Sequence, residues 1–248
     1  MSKDFSKSIL VTGGGSGIGR AIAERFLNEG YGAILVGRRK EPLEEVTRQF
    51  QGRAIAMTCD LTSSNDIAKL ATALGNSEHG KALTVLVNNA GIYWRRAFKD
   101  SSAADWQSMF ETNFFGAVRL TQALLPLIEK NKGAIINVAS TLGNRPVAGT
   151  SAYSASKAAM INWTQSLALE LAPAGVRVNT VSPGIVDTPI HDFHKDSPEK
   201  KRGLDGLQPL GRLGKPEDIA HAAWSLAGPG SEWITGSCLT VDGGISLA

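Results

Sequence analysis

Tyr153 and Lys157 stand four residues apart in Ser151-Ala-Tyr-Ser-Ala-Ser-Lys157. At helical spacing two such residues share a face, with Cβ atoms roughly 5–6 Å apart. An ammonium at that distance favours the ionised form of a neighbouring phenol and draws its pKa below the reference value of about 10. A phenol tuned in this way acts as a general acid or base. Taken alone, the same spacing also describes an ordinary helix that starts at a Ser151 N-cap and exposes a lysine, so the chemistry depends on what the rest of the chain brings to this face.

A second chemical signal lies near the N-terminus, where Thr12-Gly-Gly-Gly-Ser-Gly-Ile-Gly19 follows an apolar run and opens a helical pattern. Glycines allow a backbone to approach a pyrophosphate closely, and the helix start offers it free N–H groups and a positive dipole end. Gly13, Ser16, Gly17, Ile18 and Gly19 are the expected contacts. About 20 residues on, where a carboxylate would hold the ribose hydroxyls of NAD, the chain has Gly37-Arg38-Arg39. Guanidiniums there suit the 2′-phosphate of NADP(H), through charge-assisted bonds; the alternative is a solvated pair opening the next helix. Cys59-Asp60-Leu61 and Asn88-Asn-Ala-Gly91 close two later apolar runs. Asp60 could accept from an adenine amino group, while Asn89, Ala90 and Gly91 could brace the loop beneath the cofactor.

These residues need a scaffold that gathers strand ends. Apolar runs at Ser8–Val11, Ala33–Gly37, Ala54–Thr58, Thr84–Val87, Gly133–Ala139, Val176–Val181 and Cys238–Val241 do not alternate with polar residues, as expected for parallel strands buried on both faces. Helical patterns separate them, including one with Ile18, Ile22 and Phe26 on a face and Gly30 at its end, and others over Glu41–Phe50, Ser64–Leu74, Ala103–Leu125, Tyr153–Leu171 and Pro216–Leu226. The alternation predicts an α/β fold, a Rossmann-type doubly wound parallel sheet with helices on both faces, in one domain spanning residues 1–248. From Gly184 to Arg212 the rhythm fails amid prolines, glycines and charges. We read residues 185–212 as a substrate lid, or alternatively as a surface insertion.

The 248 residues include 42% hydrophobic and 20% charged side chains, which suffices for a buried core. A net charge of +3, without basic runs interleaved with aromatics, argues against nucleic acid as a partner. Two cysteines without metal-type spacing, a short polar start and no long apolar run predict a reduced, cytoplasmic chain that neither crosses nor enters a membrane.

Joined in order, Thr12-Gly13-x-x-x-Gly17-x-Gly19, Asp60, Asn88-Asn89-Ala90-Gly91, Asn113, Ser140, Tyr153-x-x-x-Lys157 and Pro183-Gly184 followed by Thr188 resemble the short-chain dehydrogenase/reductase family over nearly the whole chain. The resemblance implies a sheet of about seven strands, a nicotinamide cofactor and often a homotetramer. It implies that Tyr153 exchanges a proton with the substrate oxygen and that Lys157 lowers the phenol's pKa and holds the nicotinamide ribose. Ser140 would fix the substrate oxygen, and Asn113 would support a water-linked proton relay from the lysine. Pro183, Gly184, Ile185, Val186 and Thr188 match the segment that contacts the carboxamide, so cofactor binding is expected to order residues 185–212.

The expected reaction is ketone–alcohol interconversion with NADP(H), on a 3-oxoacyl thioester or a small carbonyl or sugar alcohol. An epimerase or dehydratase that retains NAD would use the same Tyr/Lys pair, but relatives of that kind tend to be longer with a different glycine spacing. The complete Ser140, Tyr153 and Lys157 set argues against a non-catalytic cofactor sensor. Pocket residues are expected among Ile92, Tyr93, Trp94, Thr141, Leu142, Ile185, Val186, His191, Phe193 and His194. Arg95 and Arg96 suit a carboxylate or phosphate, or a solvated face. Lys195, Lys200, Lys201 and Arg202 would suit an acidic carrier protein, diluted by Asp192, Asp196 and Glu199. The helices bearing Asn113 and Tyr153 and the Cys238–Gly244 segment are the expected subunit interfaces.

Overall fold

A computed structural model describes residues 5–190 and 203–248. Seven strands, β1 (Ser8–Thr12), β2 (Gly32–Gly37), β3 (Ala54–Thr58), β4 (Leu83–Asn88), β5 (Ala134–Val138), β6 (Arg177–Pro183) and β7 (Cys238–Val241), form one sheet in the order β3-β2-β1-β4-β5-β6-β7. Every pairing is parallel. All seven expected strands are present.

The continuous apolar character of the strands has a direct use. In β1, Ile9 and Val11 join the core on one face, which holds helices α1 (Gly17–Asn28) and α8 (Pro216–Ala227). Leu10 joins the opposite core, with Leu120, Leu124 and Ala168 from α6 (Gly116–Lys130) and α7 (Ser151–Leu171). Strand β2 divides in the same way, Ala33 and Leu35 to one side and Ile34 and Val36 to the other. Helices α2 (Lys40–Gln49), α3 (Ser64–Gly75), the short α4 (Glu78–Lys81) and α5 (Ala103–Phe110) complete the described layers.

Because β1 lies between β2 and β4, the strand order reverses there and the loops leaving β1 and β4 diverge, opening a crevice at the carboxyl edge. The edges of the crevice are tied together. Thr12 Oγ1 accepts from the backbone N–H groups of Asn89 and Ala90 at 2.9 and 3.0 Å, and Asn89 Nδ2 returns a bond to the Thr12 carbonyl at 2.8 Å.

Two helix boundaries differ from the sequence reading. Thr150, not Ser151, is the N-cap of α7; the Thr150 hydroxyl turns to Val147 and Ser154. The pattern over Ala103–Leu125 is not one helix but α5 and α6 joined by a π-helical turn at Glu111–Phe115. Widening the helix at that point aims Asn113 into the interior, where its amide grips Ile92, accepting from the Ile92 N–H at 2.8 Å and donating to its carbonyl at 3.0 Å. Of the insert, residues 191–202 lie outside the described residues, among them His191, Phe193, His194 and the lysines read as a basic surface. The insert is anchored on its N-terminal side by a parallel bridge between Val186 and Gly214, and on its C-terminal side by the Leu210 N–H bonded to the Gly243 carbonyl at 3.1 Å.

Candidate active site

A cavity of about 780 Å³ runs along the carboxyl edge of the sheet. At one end lies the glycine loop. Gly13, Ser16, Gly17 and Ile18 line the cavity together with Arg39, and glycine is required there by space as well as conformation. A Cβ on Gly13, at φ +67°, would stand 2.9 Å from Asn89 Nδ2. Gly19 lies beneath the loop, where a Cβ would come within 2.4 Å of the Gly13 carbonyl oxygen. Ser16 caps α1 without a side-chain bond, so the amides of the first turn stay open to an anion.

A dinucleotide therefore fits the residues present: a bare glycine surface, open helix amides, and Arg39 beside them. Arg38 does not line the cavity; it stands near Asp60 and helps lower that carboxyl's pKa, behind the larger effect of hydrogen bonds from Thr62. Leu61 also lies outside the cavity. Its side chain is buried against Gly116 and its carbonyl accepts from Arg119 at 3.2 Å.

In the middle of the cavity, Asn89, Ala90 and Gly91 meet Ser140, Tyr153 and Lys157, with Pro183, Gly184, Ile185, Val186 and Thr188 closing the far wall. Ser140 leaves the end of β5 in extended conformation and caps a 3-10 turn at Thr141–Gly143, its Oγ accepting from the Leu142 N–H at 3.2 Å. The turn is tied to β6 by the Thr141 hydroxyl, which donates to the Pro183 carbonyl at 3.3 Å. The Ser140 side chain also acts on the Tyr153 hydroxyl, drawing its pKa down. The Lys157 ammonium donates to the Val138 carbonyl at 2.8 Å and lies 5.7 Å from the Tyr153 ring centroid. Gly91 makes room for this group, since a Cβ there would stand 3.2 Å from Asn113 Oδ1 and 3.7 Å from Lys157 Nζ.

The electrostatics of the pair differ from the expected pattern. Burial pushes the Tyr153 phenol up to about 12, against the Ser140 hydroxyl, which draws it down, with Tyr93 adding a smaller upward push. Burial brings the Lys157 ammonium down to about 8. In the protein alone, desolvation outweighs any help the lysine gives the phenolate.

At the other end, Leu204 and Leu207 come from the expected insert, while several lining residues escaped the sequence reading: Arg145, Pro146 and Val147 after the Ser140 turn, and Ile245, Ser246 and Ala248. The last group gets there through a sharp reversal at Gly243 and Gly244, both at positive φ, fastened by Asp242, whose carboxylate accepts from the N–H groups of Gly244 and Ser246 at 2.9 Å each. Asp-Gly-Gly after a strand was the available signal. Ile92 and Tyr93 line the cavity as expected, and the Tyr93 ring meets Tyr153 edge-on at 4.9 Å. Trp94 does not line it; it stacks under Arg96, which is also paired with Asp105.

No cluster able to hold a metal ion and no helix long and apolar enough to cross a membrane occurs among the described residues. A family model described as enoyl-(acyl carrier protein) reductase matches residues 13–246. The chain is 35% identical over 245 residues to a 3-oxoacyl-(acyl-carrier-protein) reductase of Chlamydia trachomatis, covering 97% of this chain and 98% of that one. Among solved structures, a variant actinorhodin polyketide ketoreductase with NADPH superimposes with TM-score 0.93 at 33% identity, covering 100% of this chain and 99% of that one. The 3-ketoacyl-(acyl-carrier-protein) reductase of Brucella melitensis, complexed with NADH, gives TM-score 0.88 at 34% identity over 98% and 99% of the two chains.

The switch-point cavity, with a serine, a tyrosine and a lysine converging at its centre, is that of a Rossmann-type oxidoreductase working on C=O and CH–OH groups. Within that class, the chain belongs to the short-chain dehydrogenase/reductase family.

Proposed function

We propose that this chain is an NADPH-dependent carbonyl reductase that interconverts a ketone and a secondary alcohol, with 3-oxoacyl thioesters and small ketones as its substrate class. The observation that carries this reading is the convergence of Ser140, Tyr153 and Lys157 on one cavity that continues to the glycine loop. Arg39 at that loop, with Arg38 beside it and no carboxylate at the end of β2, supports NADP(H) over NAD(H). When bound, the cofactor supplies hydride from C4 of its nicotinamide.

The chain's own residues supply the rest. With its pKa near 12, Tyr153 is fully protonated at neutral pH and can give its proton to a carbonyl oxygen. Ser140 donates a second bond to that oxygen and fixes it beside the phenol. Lys157, charged below about pH 8, would hold the ribose hydroxyls of the cofactor and stabilise the phenolate once the proton has left. Asn113 positions this centre by clamping Ile92, and the relay role implied for it fits a side chain set just across Gly91 from Lys157.

We read residues 1–248 as one catalytic domain that is cytoplasmic and assembles as a homotetramer. Exposed Phe98, Phe115, Leu169 and Trp233 support subunit contacts, and sedimentation equilibrium at the mass of a single chain would overturn the tetramer. For the activity, the test is NADPH oxidation over a panel of 3-oxoacyl thioesters, enoyl thioesters, polyols and hydroxysteroids. Turnover of a ketone that is lost in Tyr153→Phe, with NADPH still bound, is the expected result. Turnover of enoyl thioesters alone would move the reaction to a carbon–carbon double bond.

A further inference from the structure

Four cationic side chains line the cavity and, among the described residues, no Asp or Glu side chain does. Two have tasks already: Arg39 at the glycine loop and Lys157 at the reacting centre. Arg95 and Arg145 do not. Arg145 follows the 3-10 turn that Ser140 caps, and its backbone N–H bonds the Thr141 carbonyl at 2.8 Å. Arg95 follows Tyr93, and its charge acts on the Tyr93 hydroxyl, drawing its pKa down against the larger upward push of burial. Tyr93 in turn meets the Tyr153 ring.

Arg95 is an exposed side chain whose root is nonetheless held against the 148–149 segment. Its Nε donates to the Ala148 carbonyl at 3.0 Å, and its Cγ packs where a Cβ on Gly149 would stand at 3.0 Å. The neighbouring Arg96 N–H bonds the Gly149 carbonyl at 2.8 Å. These contacts fix the root of the guanidinium. None of the ion pairs among the described residues includes Arg95 or Arg145. Arg96, by contrast, is consumed by Asp105 and Trp94. Two exposed guanidiniums without an acidic partner among the described residues, beside the partly exposed apolar side chains of Val147, Leu204 and Leu207, match a substrate that carries an anion beyond a short apolar spacer.

We propose that Arg95 and Arg145 hold an anionic group on the substrate, a carboxylate or a phosphate, while its carbonyl lies at Ser140 and Tyr153. The inference rests on the carbonyl-reductase reading for its orientation, and it deepens that reading from a reaction type to a substrate class. Two sources share this chemistry: the carboxylate of an oxo acid, and the phosphate of a pantetheine arm.

The test compares a homologous series of oxo acids with their methyl esters, and a 3-oxoacyl pantetheine thioester with its 4′-phosphopantetheine counterpart. The anionic member of at least one pair is expected to have kcat/KM about tenfold higher at low salt, through KM, with the advantage shrinking as ionic strength rises. In Arg95→Gln/Arg145→Gln that ratio falls towards one. An advantage confined to the acids identifies a free oxo acid, and one confined to the phosphorylated thioester identifies a carrier arm. Calorimetric binding of the same pairs in the presence of oxidised cofactor reads the anion preference without turnover, so it separates this inference from the reductase reading. Equal binding within every pair, or a preference that survives the double substitution, overturns it.

Discussion

At the dinucleotide end of the cavity the contact surface, Arg39 apart, is mostly backbone: glycines whose Cβ atoms would strike Asn89 or the loop itself, and the open amides of α1. At the substrate end it is side chains carried on three separate loops, after β4, after β5 and after β7, together with the insert. A backbone surface recognises what every member of a cofactor class shares. A side-chain surface can be rewritten one residue at a time without disturbing the sheet, so the first end states the reaction and the second states the substrate.

The largest effect that can break this division is expected at its centre. Tyr153→Phe should lower kcat by about a hundred- to ten-thousandfold with NADPH affinity retained; a variant of near-normal rate would mean that the proton comes from elsewhere. Next, Arg39→Asp and Arg38→Asp should shift the kcat/KM ratio of NADPH to NADH downward by about tenfold to a hundredfold, the larger change at Arg39, which lines the cavity. Equal wild-type values with the two cofactors would remove the claim.

Gly19→Ala tests the backbone surface itself, because its new methyl would meet the Gly13 carbonyl and Asn89 Nδ2. Dinucleotide affinity should fall about tenfold or more, as overpacking costs about 1–3 kcal/mol, and titration calorimetry reads it.

The smallest effect concerns Lys157. Its pKa is brought down by burial from 10.5 to about 8, so between those values the unfolded chain binds a proton that the folded one has shed, and stability rises with pH through that window. Below pH 8 the buried ammonium costs on the order of 3 kcal/mol. Lys157→Met relieves this but forfeits the bond to the Val138 carbonyl, worth about 1–2 kcal/mol. A Tm gain of a few degrees at pH 7, vanishing towards pH 10, is expected together with loss of activity. A Tm that falls at every pH would show the lysine to be a structural requirement.

The same division governs what the sequence disclosed. The strands were legible because burial on both faces demands unbroken apolar runs. Gly13, Gly17 and Gly19 were legible because few residues tolerate such close approach. Tyr153 and Lys157 were found through their helical spacing and Ser140 through the family resemblance, and the cavity unites them. What escaped depends on contacts remote in sequence. The π turn that aims Asn113 is bound up with its bonds to Ile92, 21 positions away. The depressed Lys157 pKa comes from burial that no spacing encodes, and the different fates of adjacent Arg95 and Arg96 are decided by Ala148 and Asp105.

The bonds between the 95–96 and 148–149 segments carry a consequence for how this enzyme can change. Arg95 leans on the Ala148 carbonyl and Arg96 on that of Gly149, so the two loops are fastened to each other. Grafting one of them from a relative of different selectivity would leave its partner unsupported. Exchanged together they form a cassette, and we expect recombined enzymes that keep both loops from one parent to fold and turn over, while those that split the pair lose selectivity first.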